Sequence, residues 1–128
     1  MATLRADADV EDDLFDMADL SPAATGLPMV VRISERGRAR HDARVEVSTV
    51  HGRRAHPDRT VSVSLRPTVG VVAVGVVAGQ ELPADDLERV RQWIELNREA
   101  LLAYWDGALL TDEVMQRLVR LDWFFRIS

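Results

Sequence analysis

A small α+β domain, an antiparallel sheet packed on a C-terminal helical hairpin, is the fold class that the sequence predicts, and three observations predict it. Apolar and polar residues alternate with a period of two over much of residues 29–65. From Pro83 onward the apolar period changes to three or four, which is helical. Trp93, Tyr104, Trp105, Trp123, Phe124 and Phe125 all follow residue 92, leaving Phe15 as the one earlier ring, so the helices are expected to supply the bulk of the core.

Each element follows in order. Residues 1–20 hold seven acids against Arg5 with a few scattered apolar positions, and are expected to form an acidic flexible tail. Ser21-Pro22 and Gly26-Leu27-Pro28 are chain-breaking signals that mark the entrance to a single domain over residues 21–128. Residues 29–34 read as a strand, 35–38 as a turn and 39–49 as a second strand, together a hairpin. The polar stretch 51–58, with Gly52 and Pro57, reads as a surface loop. Residues 60–65 alternate strictly, with Val61, Val63 and Leu65 on one face and Thr60, Ser62 and Ser64 on the other. Residues 69–77 are nearly all apolar but interrupted by Gly70 and Gly75, as in a strand with a bulge or bend.

Leu87, Val90, Ile94, Leu101 and Trp105 lie on one stripe of a helix that starts after Pro83 and ends near Gly107. Its acidic first turn, Asp85, Asp86 and Glu88, suits the positive end of the helix dipole. Thr111, Asp112 and Glu113 open a second helix with Val114, Met115, Leu118 and Val119 as its apolar side; the short connection makes the two helices an antiparallel pair.

Composition narrows the chemistry. With 128 residues there is room for one domain, and without cysteine there are no disulfides, thiolate metal sites or cysteine nucleophile. No charge-free apolar run is long enough to span a membrane, and a cytoplasmic location is expected. All 16 basic residues are arginine, a bias common in high-GC bacterial genomes. The net charge of −5 conceals a division: residues 1–20 sum to −6, residues 30–66 to +5 and residues 79–128 to −4.

The run Gly79-Gln80-Glu81-Leu82-Pro83 followed by Trp93-Ile94-Glu95-Leu96-Asn97-Arg98-Glu99, then Leu101-Leu102 and Trp105, resembles small bacterial proteins of the domain-of-unknown-function (DUF) 4160 family. The family's proline-and-paired-histidine signature is absent upstream. The resemblance implies a β-rich half followed by this helix, and a toxin–antitoxin or mobile-element setting.

Residue by residue, catalytic chemistry is not expected. His51 and His56 are five apart in a loop, a spacing that matches no common zinc arrangement, and no metal or cofactor is expected. His41 and Asp42, adjacent in an expected strand, point to opposite faces and cannot act as a base and its orienter. No nucleophile elbow or phosphate-binding glycine motif occurs. The candidate interface is instead Arg36, Arg38, Arg40 and Arg44 around the first turn, Arg53 and Arg54 in the following loop, and the terminal rings Trp123, Phe124 and Phe125. Asn97, on the apolar stripe, is expected to be a structural lock tying the long helix to the sheet. The expected function is a non-enzymatic protein-binding module, antitoxin-like or an inhibitor in a mobile element. The alternative is a nucleic-acid-binding or ribonuclease-like component using the arginine hairpin. The expected partner is another protein or a second copy of the chain, with no membrane.

Overall fold

A computed structural model of the chain describes residues 17–37, 41–66, 70–71 and 81–121. The elements are β1 (Met17–Leu20), α1 (Pro22–Thr25), β2 (Met29–Ser34), β3 (Arg44–His51), β4 (Thr60–Ser64), β5 (Gly70–Val71), α2 (Ala84–Trp105) and α3 (Thr111–Arg117). The α+β class and the antiparallel sheet are those expected from the sequence. The five strands pair in sequence order, each antiparallel to the last.

Alternation sets the faces. Val31, Val47 and Val61 stand in register across three strands, beside Ile33, Val45 and Val63, and all are buried. They pack against the stripe of α2 formed by Val90, Trp93, Ile94, Leu101, Tyr104 and Trp105. Trp93 and Tyr104 widen the stripe beyond the residues picked out by periodicity alone. At 22 residues α2 is about 33 Å long. Its first turn meets the end of β3, where His51 bonds Asp86. Its last turn meets the β2–β3 connection, where Arg36 donates its backbone N–H to the carbonyl of Trp105 at 2.8 Å.

Several boundaries differ from expectation. The sheet begins at Met17, within the segment expected to be tail, because Ala18 and Leu20 have inward positions opposite Ile33 and Val31 and Leu20 is buried. Residues 1–16 lie outside the described residues. Between the two breaker signals the chain makes one helical turn, α1, capped by the Ser21 hydroxyl and closed by Gly26 at φ +83°. β3 starts at Arg44 rather than residue 39: the Asp42 carboxylate accepts the Ala43 backbone N–H, a local bond that ends the turn first. Of the expected strand 69–77, Gly70 and Val71 are strand and residues 69 and 72–77 lie outside the described residues. α3 stops at Arg117, so Val119 lies beyond it and is exposed; within the helix Val114 is buried and Met115 faces solvent. No helix among the described residues is long and apolar enough to cross a membrane.

The segment after α3 closes the structure. Leu121 donates its backbone N–H to Thr25 at 2.7 Å, and a Cβ on Gly26 would lie 1.9 Å from the Leu121 carbonyl oxygen. Glycine is required there twice over, by its positive φ and by that approach. Asn97 holds the same segment: its amide donates to the carbonyls of Trp93 and Val119, and its Oδ1 accepts the Val119 N–H at 2.7 Å. The tie therefore runs from α2 to the strand-like segment after α3, not to the sheet.

Candidate functional site

The arginines of the candidate interface are divided by the topology. Arg36 lies in the β2–β3 turn and Arg44 at the start of β3, whereas Arg53 and Arg54 follow the end of β3. The length of β3 sets these two groups about 23 Å apart. Arg38, Arg40, Trp123, Phe124 and Phe125 lie outside the described residues.

At the turn end, every described arginine has a carboxylate close by. Arg66 forks onto Asp42 with Nε–O distances of 2.9 and 3.2 Å, and Arg44 sits 3.6 Å from Glu46. The Arg66 bond, helped by the Ala43 N–H and the nearby charge of Arg36, holds the Asp42 carboxyl below its ordinary range. On the outer face of the sheet, Arg32 pairs with Asp19 in the same cross-strand row as Glu46 and Ser62, whose hydroxyl donates to the Glu46 carboxylate. Loop residues 55–57 roof part of this row, leaving a cavity of about 40 Å³ lined by Asp19, Arg32, Glu46, Ser48 and His56. Such a space holds a water or two and no larger ligand.

The loop end is built differently. Between the pairs Val31/Val47 and Met29/His51, β3 advances four residues while β2 advances two. The Ser48 hydroxyl stabilises this bulge by donating to the Val50 carbonyl and accepting the Val50 N–H. His51 is thereby aimed at α2. Its Nε2 lies 2.7 Å from Oδ2 of Asp86, whose side chain is 5% exposed, and the other carboxylate oxygen accepts Arg89 Nη1 at 3.0 Å. A carboxylate only accepts, so Nε2 carries a proton and Nδ1 is the free nitrogen of a ring that is 57% exposed.

The loop itself is rooted on both sides. Gly52, at φ +123°, donates its N–H to Pro28, and the Arg59 carbonyl accepts both the backbone N–H and the hydroxyl of Thr49. Arg53, Arg54 and Arg59 are all exposed, and none forms an ion pair with a described residue.

Histidine placement follows from these roots. His56 faces the sheet's outer row while His51 faces the helix, so the two are not brought together. His41 precedes β3, donates Nδ1–H to the Asp42 carbonyl and packs its ring 5.4 Å from that of Trp105. No group of three or more His, Asp or Glu side chains suited to a metal ion occurs among the described residues. Elsewhere on α2, Arg91 and then Gln92 bond Glu88 and lower its pKa to about 2.

The pairing of His51 with Asp86 was not expected from the sequence, where Asp86 reads as a helix-start acid. One signal does mark it: Asp86 stands four residues before Val90 on the buried stripe, and a buried carboxylate needs partners.

A sheet covered on one face by a long helix, with an arginine loop rooted at one end, defines a small α+β protein. The family model of DUF4160, a domain of unknown function, matches residues 50–106, so the chain is similar to that family from the end of β3 through α2, a stretch that contains the loop, His51 and Asp86. No curated protein and no solved structure matches the chain.

Proposed function

We propose that the protein is a non-enzymatic binding module that docks an acidic protein surface through the loop of residues 52–59. The observation that carries this reading is the set of three exposed guanidinium groups, Arg53, Arg54 and Arg59, without a carboxylate partner among the described residues. Planar guanidinium forks suit carboxylates on a partner, and arginine is enriched at protein interfaces. A protein partner is favoured over nucleic acid because Trp93, Tyr104 and Trp105, the aromatic rings among the described residues, are all buried, leaving none of them to stack on a base. An antitoxin-like or mobile-element inhibitor role, acting as a monomer or dimer, is the setting we attach to it.

A second reading, a nucleic-acid-binding or ribonuclease-like component, is favoured by the His51–Asp86 pair. An oriented imidazole with a free nitrogen beside guanidinium groups is the arrangement a general base would need.

Fluorescence anisotropy with labelled poly-L-glutamate and with a single-stranded RNA, each at low and high salt, separates the two. Salt-sensitive binding of the polypeptide, lost in the R53E/R54E double variant, is expected. Preference for RNA, with RNA cleavage that disappears in H51A, would establish the second reading. Binding of neither probe at low salt refutes both.

A further inference from the structure

We infer that His51, Asp86 and Arg89 are positioning residues, a buried carboxylate latch that fixes the arginine loop on the first turn of α2 before a partner arrives. The inference rests on the reading of residues 52–59 as the docking surface. Asp86 is too buried to touch a partner, so it acts through His51 and Arg89, of which His51 leads into the loop. His51 is the last residue of β3, and the next residue, Gly52, is the near root of the loop, bonded to Pro28 at 2.9 Å. The far root is closed independently by Thr49 and Arg59.

Three features show that the latch is fixed rather than fortuitous. The Ser48-stabilised bulge brings His51 to the helix. Arg89, from the same helix, occupies the second oxygen of Asp86 and holds the carboxylate in one orientation. The Asp86 backbone N–H is itself taken by the Asp85 carboxylate, which sets the first turn. A loop held at both roots loses less freedom on binding, so the latch raises affinity without adding a contact.

Amide hydrogen exchange of the full chain reads the latch directly. Exchange at the Gly52 N–H is expected to quicken about tenfold in D86N and in H51A, because a hydrogen bond to a charged group is lost at the root. H51Q, whose side-chain amide can still donate to Asp86, is expected to restore most of the protection. E88Q, on the exposed side of the same helix end, is expected to leave it unchanged. Affinity for poly-L-glutamate should fall severalfold in D86N and H51A and recover in H51Q.

The failures are distinguishable. If wild-type protein ignores poly-L-glutamate, the docking reading falls while Gly52 exchange still reports on the latch. If exchange at Gly52 is the same in wild type and H51A, the latch is refuted whatever the binding shows. Faster exchange with unchanged affinity refutes the positioning role. Should D86N fail to fold, H51A decides, because His51 is more than half exposed and Asp86 keeps its bond to Arg89.

Discussion

The two ends of the sheet use arginine in opposite ways. At the turn end, Arg44 and Arg66 have carboxylates of the same chain, and Arg36 adds its charge beside Asp42. At the loop end, Arg53, Arg54 and Arg59 project from a loop whose anchors are backbone hydrogen bonds and one buried carboxylate. Among the described residues, Arg44 and Arg66 are paired within the fold, whereas Arg53, Arg54 and Arg59 form no ion pair. Arginines of one chain therefore differ in what they can do, and pairing, not composition, decides which of them can recruit a partner.

The largest effects are expected in the closing segment after α3, which belongs to neither group of arginines. Gly26→Ala places a methyl group on the Leu121 carbonyl and forces a left-handed backbone, and at least about 3 kcal/mol of stability should be lost by urea unfolding. Asn97→Ala leaves the Val119 N–H and carbonyl without that partner, with an expected loss of about 2–3 kcal/mol. If either variant unfolds like wild type, the closing segment is not the support it is described to be.

The charge contrast itself is sharpened by paired substitutions. R53A/R54A should leave thermal stability within about 0.5 kcal/mol of wild type while weakening polyanion binding at least tenfold. Arg66→Ala should do the reverse, lowering stability only slightly with binding intact, since its pair with Asp42 is solvent-exposed. The same result for both variants would erase the distinction between the ends.

The smallest effect is a pH dependence on the exposed side of α2. Glu88 has a folded pKa of about 2, below the ordinary glutamate value, so its contribution is present above about pH 4.5 and disappears as the pH falls toward 2. Helical circular dichroism of E88Q should differ slightly from wild type at neutral pH and converge with it at pH 2.

Much of this architecture was legible from period alone. Val61, Val63 and Leu65, and Val90, Ile94 and Leu101, declare their faces because burial repeats every two residues in one and every three or four in the other. What period does not encode is where distant segments meet. The bulge at Ser48 depends on a register set jointly by β2 and β3, and the separation of Arg36 from Arg53 depends on how long β3 runs. Asn97 is marked by being a polar residue on an apolar stripe, but its partner Val119 lies beyond a short helix, and no local pattern predicts that bond. Asp86 carried the same kind of sign and was hidden by a competing explanation, since acids at helix starts are ordinarily solvated.

The docking of Leu121 on Thr25 and Gly26 also sets an order on synthesis. Arg120 bonds the Ala23 carbonyl across 97 residues of chain, so the turn between β1 and β2 emerges from the ribosome long before the segment that seals it. The hairpins of the meander can pair while translation continues, but Gly26 stays uncovered until the end of α3 has been made. A stalled or truncated product lacking that segment would display an open flank at that turn.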